Sequence, residues 1–275
     1  MKTVTRFAPS PNGHLHLGHA FSAIVAADEA AARGGEFLLR IEDIDGPRSR
    51  PEFAEEFRRD LEWLGLEWRE VPAQSTRLES YRAAARRLEN EGLLYRCRCT
   101  RREIAALPQR IGPSGQPYPG SCKGRCLSLG NDAAVAMRLD LDAALERVCD
   151  LVWETHNGAT VAADPREFGD VVLVRKDLPA SYHLAVTLDD AADGVTLVTR
   201  GADLLSATHI HRLLQELLGL PVPRYLHHAL MMADDGADKL SKSKGAPSLA
   251  ARREAGEDGR VLAQQLRARR MIAGT

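Results

Sequence analysis

An α/β fold on a parallel sheet is what this sequence predicts, and three observations at its start predict it. Val4-Thr5-Arg6-Phe7-Ala8 is a short strand-like run, broken sharply by Pro9-Ser10-Pro11-Asn12-Gly13. An alanine-rich run of helical composition then reaches Arg33. After Gly34-Gly35, a helix stop, Glu36-Phe37-Leu38-Leu39-Arg40-Ile41-Glu42 is a second strand ending in acids. A strand–helix–strand opening favours a parallel sheet that binds ligands at the carboxyl ends of its strands. Arg6 to Ser10 and Glu42 to Asp45 both fall at such ends.

Between the first strand and its helix stand His14-Leu15-His16-Leu17-Gly18-His19. His16 and His19 are three residues apart and share a face of the helix's first turn. That turn carries unpaired N–H groups and the positive end of the macrodipole, which suit a phosphate chain. Gly18 removes a side chain where a base or ribose could lie against the backbone.

The remaining elements follow in order. Pro51 to Leu64 is an amphipathic helix with Phe53, Phe57, Leu61 and Leu64 on one stripe, stopped by Gly65. Tyr81 to Glu91 is another, stopped by Gly92. Leu94-Tyr95-Arg96-Cys97-Arg98-Cys99-Thr100 alternates like a strand and points both thiols the same way. From Leu107 to Gly130 the chain is rich in Gly, Pro and Ser and holds Tyr118, Cys122 and Cys126. A glycine-rich loop facing a Cys-x-Cys pair is what a tetrahedral zinc site would stabilise. Cys149 stands apart and reads as a buried small apolar residue. Ala133 to Leu139 and Asp170 to Arg175 look like strands of an inserted region, and Tyr182 to Leu188 begins a helix. Val195 to Thr199 is a strand leading to Arg200-Gly201-Ala202-Asp203. Ile210 to Leu218 is a helix stopped by Gly219, and Arg224 to Met232 is the last sheet strand. Gly236 and Gly245 bracket a basic loop from Lys239 to Lys244.

The whole chain sets bounds. Its 275 residues allow one or two domains with a real core. An apolar fraction of 44% and a net charge of −1 describe an ordinary globular protein with no global basic field. No run has membrane-spanning length and no signal-peptide pattern opens the chain, so a cytoplasmic location is expected. The five cysteines then read as reduced thiols or metal ligands. From Lys239 to Thr275, nine Lys or Arg stand against three Asp or Glu. That basic tail, with Arg267, Arg269 and Arg270, is a candidate RNA-phosphate contact.

Phe7 to His19 resembles the HIGH signature of class I aminoacyl-tRNA synthetases in its glutamyl form. Arg40-Ile41-Glu42-Asp43-Ile44-Asp45 agrees with it, and Lys239-Leu240-Ser241-Lys242-Ser243 resembles the KMSKS loop of that class. Only 32 residues follow Ser243, whereas ordinary glutamyl-tRNA synthetases carry a large anticodon-binding region there. The chain therefore resembles the short glutamyl-queuosine tRNA(Asp) synthetases. Departures are modest: His19 restores the fuller HIGH pattern, and Cys126 is an added cysteine.

The resemblance implies a Rossmann-type catalytic domain with a smaller zinc-bearing, inserted lobe and no anticodon-binding domain. Residues 1–96 would be the first half of the catalytic domain, 97–195 the lobe, and 196–275 the second half with the lysine loop and tail. It implies ATP-dependent activation of L-glutamate without tRNA, then transfer to queuosine in the anticodon stem-loop of tRNA(Asp). A truncated glutamyl-tRNA synthetase and a catalytically dead RNA-binding paralogue are the alternatives. His16, His19 and Lys242 are the implied catalytic residues, and Gly18 and Lys239 join them around ATP. Arg6, Phe7, Ala8, Pro9, Ser10, Glu42, Tyr182 and Arg200 surround the glutamate. A guanidinium matches its side-chain carboxylate and Glu42 its ammonium. Magnesium is expected with ATP, though no residue stands out as its ligand. For zinc, the family pattern names Cys97, Cys99, Tyr118 and Cys122. General chemistry offers Cys126 as the alternative fourth ligand, since thiolate is the commoner donor. Tyr118 is taken on the family spacing.

Overall fold

The computed structural model describes residues 2–106, 117–125, 135–231 and 247–272. Within these the chain forms two compact units. The first comprises 1–76, 194–204 and 223–275; the second comprises 77–193 and 205–222.

The first unit is built on parallel strands. β1 (Val4–Phe7) pairs with β2 (Glu36–Leu39), and β2 with β3 (Arg69–Glu70), all parallel. β9 (Leu197–Gly201) and β10 (Arg224–His228) form a second parallel pair. The two ladders meet at β1 and β9, where Thr196 N donates to Val4 O at 3.0 Å. The order is therefore 3-2-1-9-10, and its direction of progression reverses between β1 and β9. In an open α/β sheet that reversal marks the crevice where ligands bind.

α1 (Leu17–Ala32) covers this sheet with Ala20, Ala23, Ile24, Val25 and Ala26, all buried in the core beside Phe7, Leu39, Leu197 and Leu226. Small side chains let the helix lie close to the strands. The two glycines after it act differently. Gly34 has φ of +57°, the left-handed conformation of a helix end, while a Cβ on Gly35 would sit 2.2 Å from Thr3 O. α2 (Pro51–Trp63) buries Phe57 and Leu61 completely, each worth about 2 kcal/mol. α8 (Leu249–Glu254) and α9 (Gly259–Ile272) complete the unit, adding Leu249, Leu262 and Leu266 to the same core.

In the second unit, α3 (Leu78–Asn90) and α6 (Tyr182–Ala192) are tied by buried charge. Arg77 bridges Asp189 at 3.2 Å and Asp193 at 2.5 Å, and Tyr81 donates to Asp189 at 2.9 Å. An antiparallel sheet runs in the order β4 (Leu94–Cys97), β5 (Ala136–Leu139), β8 (Val172–Val174). A hairpin of β6 (Val152–Glu154) and β7 (Thr160–Ala162) was not legible in the sequence. α4 (Arg101–Ala105), α5 (Leu141–Leu145) and α7 (Ala207–Leu218), the last ending at a left-handed Gly219, complete it.

Several expectations need correction. β4 ends at Cys97, because Thr100 caps α4 and turns the chain, so strand alternation does not aim Cys99. β2 ends at Leu39, although Arg40 N and Glu42 N still bond to Phe7 O and Pro9 O. Cys149 is exposed, not buried. Arg267 has a partner that the sequence reading did not name: it grips Asp28 of α1 through Nε and Nη2 at 2.9–3.1 Å. The Lys239–Lys244 loop, Cys126 and Met232 lie outside the described residues.

α2 and α8 are joined by an ion pair whose acid is fully buried. Asp60 contacts Arg253 Nη1 at 2.5 Å, and burial, opposed by the Arg253 charge, pushes its carboxyl up to about 7. A carboxyl raised above its unfolded value gives stability that is fully present at low pH and lost as pH rises through about 7. Arg253→Ala leaves the acid without this partner and should cost about 3 kcal/mol at pH 8, where Asp60 is ionised. The cost should shrink at pH 6, where the acid holds a proton. Urea unfolding at both pH values measures this, and an equal loss at both would refute it.

Candidate functional site

The histidine turn follows β1 directly. His16 is the N-cap of α1, one step outside the helix, and not part of its first turn as the spacing predicted. Its Nδ1 accepts from Gly18 N at 3.1 Å, and His19 Nδ1 accepts from His16 N at 3.2 Å. This is a reciprocal capping box made from two imidazoles in place of Ser and Glu. The rings lie 3.9 Å apart between centroids. With both Nδ1 atoms accepting, each neutral ring carries its proton on Nε2, which makes Nε2–H the donor. Two such donors with a fixed tautomer, beside a helix N-terminus, are chemically suited to an anion. Gly18 has a further use within the turn itself. A Cβ there would stand 3.0 Å from His16 Cε1, so the glycine makes room for the capping ring.

Two contacts fasten other parts of the first unit to this helix. Ser22 of α1 meets Nε2 of His228, the last residue of β10, at 3.0 Å. Leu249 N, at the start of α8, donates to Leu15 O at 2.9 Å. Residues 232–246, with Lys239 and Lys242, lie between those attachments and outside the described residues.

The strand ends carry buried charge. Arg6 is 5% exposed and donates from Nη1 to Thr199 O at 3.1 Å, across the β1–β9 reversal. Arg200 is likewise 5% exposed, and its Nε donates to His227 Nε2 at 3.3 Å. Glu42 is buried and bridges the fully buried Arg40 at 3.2 Å. Sequence reading missed Arg40 and His227 as partners. Arg40 was legible in principle, since it lies two residues from Glu42, where an extended chain returns to the same side. Phe7 and Pro9 are buried, and Ala8 and Ser10 are half-buried along the same turn. Asp43, from the same acidic run, is occupied otherwise: it accepts from Ser75 N and Oγ at 2.8 and 2.6 Å. Tyr182 belongs to the second unit, where it opens α6 and is 39% exposed.

The second unit holds a sulfur cluster. The Sγ atoms of Cys97, Cys99 and Cys122 lie within 4.8 Å of one another, with Cys99 and Cys122 at 3.5 Å. Tetrahedral zinc with sulfur bonds of about 2.3 Å needs sulfur separations of about 3.8 Å, so this donor set fits. Tyr118 Oη is 3.3 Å from Cys99 Sγ and accepts from Cys122 N at 3.0 Å. Its backbone bridges Gly169, whose φ of +61° and close approach to Tyr118 O admit no side chain. Arg138 lies over its ring at 3.8 Å. Burial opposes the Cys122 thiolate, but hydrogen bonds from Tyr118 and from backbone at Arg98 bring that thiol down to about 7. A thiol near neutrality is readied for a metal. Cys122→Ser should abolish zinc binding, measured as metal per chain after purification with zinc; full retention would remove Cys122 from the set.

No helix among the described residues is long and apolar enough to cross a membrane. Residues 2–272 match the model for the catalytic domain of class I (E and Q) tRNA synthetases. The chain is 49% identical to a glutamyl-Q tRNA(Asp) synthetase of Rhodobacter capsulatus, over 92% of this chain and 95% of that protein. It is 40% identical to a glutamate–tRNA ligase of Oleidesulfovibrio alaskensis, over 93% of this chain but 54% of that protein. A solved glutamate tRNA ligase of Elizabethkingia meningosepticum, in complex with its amino acid, superposes with a TM-score of 0.71 at 28% identity. That match covers 90% of this chain and 54% of the other, so the chain spans about half the length of that ligase. The parallel sheet, the histidine-capped helix at its reversal and these matches together place the chain in the class I (E and Q) tRNA synthetase catalytic-domain family.

Proposed function

We propose that this protein activates L-glutamate with ATP and transfers it to queuosine in the anticodon stem-loop of tRNA(Asp). One observation carries the first half: buried guanidiniums at the reversal of a parallel sheet, beside a helix start that presents two imidazole donors. The glutamate α-carboxylate attacks the α-phosphorus of ATP, and the bond from that phosphorus to the bridging oxygen breaks. Pyrophosphate leaves with the electron pair, and glutamyl-adenylate remains. His16 and His19 donate from Nε2 to phosphate oxygens that gain charge in the transition state, helped by the α1 N-terminus. Lys239 and Lys242 supply cationic charge to the phosphates, as the family pattern implies, and magnesium accompanies the nucleotide. Arg6 and Arg200 take the glutamate carboxylate, and Glu42 takes the ammonium. Glutamine is rejected because it leaves a buried guanidinium without its counter-charge.

The second half rests on the extent and degree of similarity to glutamyl-Q tRNA(Asp) synthetases. The acceptor's nucleophile attacks the carbonyl carbon of the adenylate and AMP leaves. Zinc is structural here, held by Cys97, Cys99, Cys122 and Tyr118. These substrates place the reaction in the cytoplasm.

Pyrophosphate exchange with glutamate and ATP should proceed without RNA, and labelled glutamate should pass to queuosine-containing tRNA(Asp) but not to queuosine-free tRNA(Asp). Strict dependence of exchange on tRNA(Glu), or charging at a 3′ end, would identify a glutamate–tRNA ligase. No exchange at all would identify an inactive paralogue. His16→Ala should lower the exchange rate about a hundredfold with the fold retained; unchanged exchange would remove His16 from the reaction. For the metal, Tyr118→Phe should lose zinc and Cys126→Ser should keep it, and the reverse outcome would make Cys126 the fourth ligand.

A further inference from the structure

β9 and β10 run parallel with Arg200 paired in register to His227. Arg200 Nε donates to His227 Nε2 at 3.3 Å. The His227 ring in turn stacks on buried Tyr225, with centroids 6.0 Å apart and planes 1° from parallel. The Arg200 guanidinium carbon stands 5.4 Å from the centre of that same Tyr225 ring. An arginine side chain has several rotatable bonds and about 2 kcal/mol of rotamer entropy to lose on binding. Here two rings from the neighbouring strand hold it before any ligand arrives.

We propose that His227 is a positioning residue for glutamate: it fixes the roll of the Arg200 guanidinium and so selects which edge meets the substrate carboxylate. This rests on Arg200 binding that carboxylate. With Nε committed to His227, the carboxylate meets Arg200 through its Nη edge, where two N–H bonds can run parallel to two oxygens. A guanidinium free to roll would present either edge and would accept a neutral amide in more poses, so the fixed roll serves selectivity against glutamine as well as affinity. The acceptor must be a lone pair, which places the His227 proton on Nδ1. Tyr225 holds the ring by its face and keeps Nε2 aimed across the ladder.

Two substitutions separate the hydrogen bond from the packing. His227→Phe keeps a flat ring on Tyr225 but offers no acceptor. His227→Gln gives up the ring but places an amide oxygen at a similar reach. In pyrophosphate exchange, His227→Phe should raise the KM for glutamate about tenfold and narrow the glutamate-over-glutamine preference. The KM for ATP and the thermal midpoint should stay near their original values. His227→Gln should restore most of the glutamate KM. An unchanged glutamate KM in His227→Phe, or equal loss in both variants, would overturn the proposal. So would a parallel rise in the KM for ATP. Arg200→Ala, measured alongside, tests the underlying reading separately. If it leaves glutamate affinity intact, Arg200 does not bind the carboxylate. If it destroys affinity while His227→Phe has no effect, only the role of His227 falls.

Discussion

The ligand end of this sheet depends on how one helix is capped. A serine or aspartate before α1 would satisfy its first N–H groups equally well and would end there. Imidazoles do more. His16 and His19 spend Nδ1 on the backbone, at 3.1 and 3.2 Å, and that choice fixes the second nitrogen as a donor. The same bonds that start the helix therefore set the tautomer of the two imidazoles that the proposed reaction uses. Gly18 leaves room for the cap, since a methyl there would stand 3.0 Å from the His16 ring. Structure and chemistry at this turn cannot be altered independently.

The second constraint is buried charge. Arg6, Arg40, Glu42 and Arg200 are all less than a tenth exposed. Removing such ions from water costs several kcal/mol each, and even a well-made pair often only breaks even against apolar packing. Stability is therefore a poor reason for their presence, and selectivity is a better one. A binding site that has already lost the hydration of its guanidiniums penalises any ligand that fails to return a negative charge. The penalty for leaving a buried charged group unmatched exceeds the gain from an ordinary neutral hydrogen bond. On the proposed reading of Arg6 and Arg200, this asymmetry would discriminate glutamate from glutamine where shape alone would not, since the two side chains have nearly the same outline.

What the sequence disclosed follows the range over which its signals act. α1, α2, β1 and the strand to Arg200 were legible because each is defined by local periodicity and a nearby breaker. The strand through Cys99 was overextended because alternation continues past Cys97, while the Thr100 cap, with Glu103 three residues on, overrides it. Cys149 was misplaced because burial of a lone cysteine is a composition habit and not a local signal. The Arg267 ion pair was not legible because its partner, Asp28, lies 239 positions away. His227 was missed for the same reason in another form: its importance exists only in the β9–β10 register, which no stretch of sequence spells out. The cysteine triad was found because a short spacing and a loop composition together carried it.

The fourth ligand of that triad is where covalent chemistry and architecture pull apart. Thiolate is the better zinc donor, yet a fourth thiolate would add a fourth negative charge to one small site. Tyr118 enters at a different cost. Burial, with hydrogen bonds to Cys122 and the neighbouring thiols, holds its phenol protonated above the usual range, so a zinc ion would have to displace that proton. Against this stands placement. The ring is clamped beneath Arg138, its backbone is pinned to Gly169, and its oxygen already accepts from Cys122 N. An oxygen fixed beside the Cys99 sulfur needs no loop ordering to become a ligand, and the entropy of ordering a loop is what a zinc site otherwise has to offset. Preorganisation thus compensates for the weaker donor, and that balance favours Tyr118.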